Sequence, residues 1–203
     1  MENKIKAVIF DMGGVLLKTM DSKPREAMAD RFGVSRQELE SFVFHGPTSL
    51  QSEVGEVTDI FHWETVLAHF NQDGDPYKTY TEYFSGDAID SELMAFILSL
   101  KPNYRLGLLS NAWVNARNKL GELFDFIEVF DISIFSAEVQ MRKPNAKIYQ
   151  LILEKLEVNP QDAVFIDDFL ENIEGAKNLG INTIHFKNTQ ETIEKLKNLL
   201  ERP

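Results

Sequence analysis

Val8-Ile9-Phe10-Asp11-Met12-Gly13-Gly14 is an apolar run that stops at a carboxylate and then turns on two glycines. From Ile5 to Phe10 the chain is hydrophobic almost without a break, which is how a strand buried on both faces of a parallel sheet reads. A carboxylate at the end of such a strand is costly to bury unless it ligates a metal or faces a site. Gly13 and Gly14 let the backbone turn sharply and approach a ligand closely. Taken alone, an Asp-x-Gly-Gly turn has an equally good structural reading.

Four more runs of the same kind follow: Leu106–Leu109, Ile132–Phe135, Ala163–Ile166 and Thr183–Phe186. Helical patterns lie between and after them. Pro144 is expected in the first turn of a helix that carries Ile148, Leu151, Ile152 and Leu156 at helical spacing. Asn188 and Glu191 make a capping pair ahead of Ile193, Leu196, Leu199 and Leu200. This alternation predicts an α/β fold: a Rossmann-like, five-stranded parallel sheet with helices on both faces.

The stretch from 11 to 105 is far longer than one crossover helix requires. It reads as mostly helical, for example over Glu38–Phe44 and Phe61–Phe70, with loops at Gly46-Pro47 and Asn71–Pro76. The expected organisation is therefore an α/β core of residues 1–18 and 100–203. Residues 19–99 form a small helical cap inserted after the first strand. Such an insert would lie over the C-terminal edge of the sheet, where open α/β folds bind ligands, and act as a lid.

Composition limits what this architecture can do. The 203 residues, 43% hydrophobic, suffice for one domain with such an insert, and a net charge of −11 argues against nucleic acid or anionic membrane as partner. No apolar run reaches the 18 or so residues of a membrane span. Met1-Glu2-Asn3-Lys4 is not the opening of a signal peptide. The absence of cysteine excludes disulfides, thiolate metal sites and a Cys nucleophile, and it fits a reducing, cytoplasmic setting. The expected partner is a small anionic metabolite.

Three further loops carry chemistry. Leu108-Leu109-Ser110-Asn111 ends the second run, where Ser110 and Asn111 would either cap the next helix or turn a hydroxyl and backbone N–H groups toward an anion. Met141-Arg142-Lys143-Pro144 is expected to open a helix. A lysine there opposes the helix dipole, an anomaly that a bound phosphate or clustered carboxylates would resolve. Phe165-Ile166-Asp167-Asp168 ends the fourth run with two adjacent carboxylates, which points to a hard cation nearby. Together these loops supply a nucleophilic carboxylate, a hydroxyl, a fixed cation and a paired-carboxylate metal site. That set moves a phosphoryl group through an aspartyl intermediate.

These motifs, in this order, resemble the haloacid dehalogenase-like superfamily: Val8-Ile9-Phe10-Asp11-Met12-Gly13-Gly14-Val15-Leu16, Leu109-Ser110-Asn111, Arg142-Lys143-Pro144 and Val164-Phe165-Ile166-Asp167-Asp168. From Lys143 to Phe186, and in the cap over Gly55-Glu56-Val57-Thr58 through Trp63, the chain is similar to sugar-1-phosphate phosphatases and the phosphatase domain of soluble epoxide hydrolase. The resemblance implies a Mg²⁺-dependent phosphatase. In it Asp11 is the nucleophile and, with the Gly13 carbonyl, Asp168 and nearby Asp167, a metal ligand. Ser110 and Asn111 would hold a phosphoryl oxygen, Lys143 would pair with Asp11 and phosphate, and Asn172 would orient Lys143.

One position departs from the pattern. Most such phosphatases carry an acid–base aspartate two residues after the nucleophile, where this chain has Gly13. General acid–base help is worth about 10²–10⁴-fold, so poor leaving groups should suffer most. A sugar-1-phosphate or acyl-phosphate-like substrate fits this loss, and a catalytically weakened binding or regulatory protein is the alternative. The metal-independent dehalogenase branch shares Asp11 but usually has tyrosine at the Gly13 position and an apolar halide cradle. In the cap, Phe44, His45 and Trp63 are candidates for touching the leaving group, while Phe61, Phe70 and Tyr83 are expected to pack internally.

Overall fold

Strands form where the apolar runs lie, because alternate side chains find a hydrophobic partner on each side. The computed structural model describes residues 4–124 and 126–201. In the first strand, Val8 and Phe10 join one core cluster while Ala7 and Ile9 join another on the opposite face. A strand buried on both sides has no polar face to offer solvent, which explains the unbroken hydrophobic run.

The chain opens with β1 (Ala7–Phe10) and β2 (Leu17–Thr19). Five helices follow: α1 (Lys23–Phe32), α2 (Arg36–His45), α3 (Pro47–Glu53), α4 (Asp59–His69) and α5 (Pro76–Phe84). Next come β3 (Asp87–Ile89), α6 (Ser91–Leu100), β4 (Arg105–Ser110), α7 (Ala116–Leu123), β5 (Ile132–Phe135) and the short α8 (Ser136–Val139). The chain continues through α9 (Ala146–Leu156), β6 (Ala163–Asp167), α10 (Leu170–Lys177), β7 (Asn182–His185) and α11 (Thr189–Leu200).

The sheet runs β5-β4-β1-β6-β7, and every pairing in it is parallel. The chain builds outward from β1 to one edge, then crosses to build β6 and β7 on the other side. The crevice for a ligand lies where that order reverses, at the C-terminal ends of β1, β4 and β6. Helices α6, α7 and α11 contribute Leu93, Ile97, Leu120 and Leu196 to one face. Helices α9 and α10 contribute Tyr149, Ile152 and Ile173 to the other.

Helices α1 to α5 enclose a third cluster of their own around Met28, Leu39, Val43, Trp63 and Tyr83. Their starts follow local chemistry: Ser35, Thr58 and Asp75 each accept a hydrogen bond from the N–H three residues on. Asn188 caps α11 in the same way by accepting from the Glu191 N–H.

Three details differ from the sequence expectation. A two-stranded antiparallel ribbon, β2 with β3, joins the helical layer to the sheet; its strands are three residues each, too short to leave a periodic signal. Helix α6, placed inside the insert by a boundary at 99, packs Leu93, Ile97 and Leu100 into the sheet's core. Pro144 lies outside α9, which starts at Ala146 under an Asn145 cap, and the Lys143–Pro144 peptide is cis.

Candidate active site

Asp11 follows directly on β1. Its N–H donates to the Ile166 carbonyl at 2.8 Å, so the pairing of β1 with β6 fixes where its carboxylate begins. Lys143 is 1% exposed, with Nζ 2.7 Å from Asp11 Oδ1 and 2.7 Å from Asp167 Oδ2. The sequence placed this lysine at the opening of a helix. The turn over Lys143 and Pro144, closed by the Asn145 N–H donating to the Arg142 carbonyl at 2.9 Å, instead carries it inward, where it also lies 5.4 Å from the centre of the Phe165 ring.

Asn111 does not cap a helix, since α7 begins only at Ala116. Its side chain grips the lysine's backbone: Lys143 N–H donates to Asn111 Oδ1 at 2.8 Å, and Asn111 Nδ2 donates to the Lys143 carbonyl at 3.0 Å. Asn172 makes no direct hydrogen bond to Lys143 among the described residues and meets it through Asp167, which accepts from both. It donates to both oxygens of Asp167 at 3.1 Å, while the Tyr149 hydroxyl donates to the Asn172 carbonyl at 2.9 Å. Ser110, 1% exposed, ends β4 with its hydroxyl only 3.4 Å from the Asn111 carbonyl, a weak contact.

The two adjacent aspartates are treated unequally. Asp167 accepts from Lys143, from Asn172 and from the Phe169 N–H at 2.8 Å, so both its oxygens are occupied. Asp168 Oδ1 is buried and finds no hydrogen-bond partner among the described residues. A buried carboxylate oxygen left so is expensive unless something else binds it. Gly14, at φ 77°, belongs to the same arrangement, because a Cβ there would overlap the Asp168 carboxylate.

Ligand atoms of Asp11, Asp167 and Asp168 lie within 4.8 Å of one another. Three carboxylates against one ammonium leave two negative charges in a buried cluster. Burial, opposed by Lys143 and reinforced by Asp167, pushes Asp11 up to about 7. Burial and the neighbouring Asp167 push Asp168 up to about 6. Burial would lower Lys143, but Asp11 and Asp167 outweigh it and hold the ammonium above its ordinary value. An all-oxygen set with one free buried acceptor and a surplus of two negative charges fits a hard divalent cation.

These groups open on a cavity of about 620 Å³ shared with the helical layer. Asp11, Gly13, Ser110, Asn111, Lys143 and Asp168 line one part of it; Phe44 and His45 of α2 line another. Gly13 has nothing within 4 Å of where a Cβ would stand. Of the cap residues singled out from sequence, Trp63 is not in the cavity wall: it is fully buried at the centre of the helical cluster. Phe70 and Tyr83 are buried as expected, whereas Phe61 is 48% exposed.

Sequence reasoning missed the ties between the loop after β4 and the helices above it. Trp113 Nε1 donates to Ser49 Oγ at 3.0 Å, and Lys119 pairs with Asp59. Arg142, beside the buried lysine, pairs with Glu53 at 2.6 Å. A tryptophan three residues past a strand end was the one available signal, because loops seldom spend so large a side chain without a contact for it.

The family model described as haloacid dehalogenase-like hydrolase matches residues 5–180. Bifunctional epoxide hydrolase 2 of Mus musculus is 32% identical over 108 residues, 51% of this chain and 20% of the relative. The chain thus spans only about a fifth of the length of the first curated relatives it matches. A phosphorylated carbohydrates phosphatase of Thermotoga maritima is 27% identical, with 89% of this chain and 84% of the relative covered. Among solved structures, a family enzyme of Bacteroides thetaiotaomicron in complex with magnesium and inorganic phosphate is 25% identical. It superposes with a TM-score of 0.74, covering 90% of this chain and 94% of that one.

Proposed function

The chain belongs to the haloacid dehalogenase-like hydrolase family, and on that premise we propose that it is a phosphatase that hydrolyses small phosphate monoesters through a phosphorylated Asp11. The observation that carries this reading is the convergence of Asp11, Lys143 and a partnerless Asp168 oxygen on one cavity. Asp11 and Asp168, with the Gly13 carbonyl and with Asp167 held behind them, would hold Mg²⁺. When bound, the ion supplies charge neutralisation for the carboxylates and the phosphoryl group, bringing nucleophile and phosphorus together.

The chain's own residues do the rest. Lys143 holds the Asp11 carboxylate in place through Oδ1 and offers its positive charge to the phosphoryl oxygens. Asn111, by gripping the backbone of Lys143, and Asn172, by gripping Asp167, keep that ammonium from swinging away. The Ser110 hydroxyl, which has only a weak partner in the protein, is free to donate to a phosphoryl oxygen. Asp11 attacks phosphorus and the ester oxygen departs; water then attacks the phosphoaspartate and releases inorganic phosphate. Helices α1 to α5 serve as the cap that closes over this chemistry, consistent with their shared cavity.

The names of relatives support the reaction class: the Thermotoga maritima protein is called a phosphatase, and the Bacteroides thetaiotaomicron structure holds magnesium with phosphate. Phosphate release from a panel of monoesters, with and without Mg²⁺, tests the proposal. Release that requires Mg²⁺ and vanishes in Asp11→Asn supports it; equal release by that variant refutes it. The weakened-protein alternative rests on Gly13. Tight phosphate binding with no release over hours would favour it.

A further inference from the structure

We infer that the leaving group this site is shaped for is aromatic, so that the substrates are small aryl phosphate monoesters; this rests on the phosphatase reading above. Two independent observations lead there. One concerns the acid missing at position 13, and the other the walls around it.

Gly13 faces open space in the cavity, with nothing within 4 Å of its absent Cβ, so no acid stands at that position. Of the other titratable groups of that wall, Glu53 pairs with Arg142 at 2.6 Å, while His45 and Glu171 are exposed on it, away from position 13 in the sequence. With no acid at position 13, a leaving group that departs readily as an anion is favoured. A phenol titrates near pH 10, as tyrosine does; water titrates at about 15.7, and simple alkanols resemble it. A phenolate therefore leaves without help where an alkoxide does not.

The walls agree. Phe44, Tyr80, Phe84, Trp113 and Leu120 line the cavity. Phe44 stacks on Trp113 at 6.2 Å and 22°, Phe84 meets Trp113 at 5.9 Å, and Tyr80 meets Phe84 at 5.0 Å. The charged groups in the same wall satisfy one another: Arg25 binds Asp87 at 2.7 Å and Glu40 at 3.2 Å, and Lys18 binds Asp90 at 2.6 Å. Among them only Arg25 Nε is without a partner within the described residues. A ring needs apolar faces to lie against, and this wall offers several. The inference thus favours an aromatic ester over the anomeric sugar phosphate expected from the sequence.

In the first step an Asp11 oxygen forms a bond to phosphorus, and the phosphorus–aryl oxygen bond breaks, its electron pair leaving as phenolate. The phenolate takes its proton from water on reaching solvent. In the second step water attacks phosphorus, the phosphorus–Asp11 bond breaks, and the water proton ends on the released phosphate.

Inhibition by non-hydrolysable phosphonates tests the pocket apart from turnover. Benzylphosphonate is expected to bind roughly 10- to 100-fold more tightly than methylphosphonate, the gain from burying a ring. Phe84→Ser should narrow that ratio while leaving inhibition by inorganic phosphate unchanged. Across substituted phenyl phosphates, kcat/KM should fall steeply as the phenol becomes more basic, and phenyl phosphate should outrun an anomeric sugar phosphate. Equal binding of the two phosphonates by the wild-type protein overturns the inference, as does faster turnover of the sugar phosphate. A shallow leaving-group dependence overturns it too, since it reveals a proton donor. If no ester releases phosphate at all, the phosphatase reading falls and takes this one with it.

Discussion

The two halves of the cavity wall are built on opposite plans. At the sheet edge, a buried cluster of carboxylates and one lysine is fixed by strand pairing and by hydrogen bonds from Asn111 and Asn172. Across from it, Phe44 and Phe84 of the helical layer close on Trp113 from the loop after β4, and charged neighbours such as Arg25 and Asp87 pair locally. The sheet edge is charged, and its Asp168 Oδ1 has no hydrogen-bond partner among the described residues. The helical wall is nearly complete in itself. Reaction chemistry and substrate choice are therefore separable, and mutations should fall on one side or the other.

The largest effect belongs to the charged side. Lys143→Met leaves Asp11 and Asp167 facing each other in a buried site, which is expected to cost roughly 3–5 kcal/mol of stability. It should also lower kcat/KM by about 10³-fold through lost charge stabilisation. Denaturant unfolding and steady-state kinetics measure the two losses. A full-strength enzyme with methionine there would erase the distinction between the walls.

Proton and metal compete at the same edge. Because burial raises Asp11 from 3.8 to about 7, and Asp168 to about 6, the folded metal-free chain binds protons that the unfolded chain has released. The stability from these groups is present below pH 3.8 and is lost as pH rises toward about 7. Added Mg²⁺ should reverse that trend. At a hundredfold excess over its Kd it contributes about 2.7 kcal/mol, a rise in Tm of roughly 5–10 °C for a chain this size. The rise is expected at pH 8 and should nearly vanish at pH 5, where protons hold the ligands. Thermal melts at both values decide, and an equal shift at each would count against these carboxylates as the ligands.

Gly13→Asp places a carboxylate where the structure leaves room for one. For alkyl phosphates kcat/KM should rise by about 10²-fold, while for aryl phosphates it should change by less than about tenfold. A uniform rise would mean that the helical wall does not select leaving groups. The smallest effect is reserved for the ties between the walls. Asp59→Asn loosens the pairing with Lys119 and is expected to cost about 1 kcal/mol, visible as a lowered Tm with kcat nearly unchanged.

The same contrast explains what the sequence made legible. Asp11, Ser110 and the 167–168 pair lie at the ends of apolar runs, so local pattern alone placed them at one sheet edge, while Lys143 was marked only by its oddity before a helix. The five strands were readable for the same reason. The roles of Asn111 and Asn172 were not, because each depends on a loop conformation: Asn111 looked like a helix cap until α7 proved to start five residues later, at Ala116. The helical layer was legible as helices, over stretches such as Glu38–Phe44 and Phe61–Phe70, but not as a wall. Trp63 and Phe44 have similar sequence credentials. Only the packing of α2 against α4 and α5 buries one at the centre and turns the other toward the cavity. The β2–β3 ribbon, and with it the placement of α6 on the sheet, depends on a pairing between residues about seventy positions apart, as in Leu17 with Ile89.

The most direct test is to quench the enzyme in acid during turnover of an aryl phosphate with Mg²⁺ and to map phosphorylation by peptide mass. With no acid–base carboxylate at position 13, hydrolysis of the intermediate should lag behind its formation, giving a burst of phenol equal to the enzyme present. The expected result is that burst together with a phosphoryl group on Asp11, both absent in Asp11→Asn. Steady turnover with no burst and an unmodified Asp11 peptide would contradict the account.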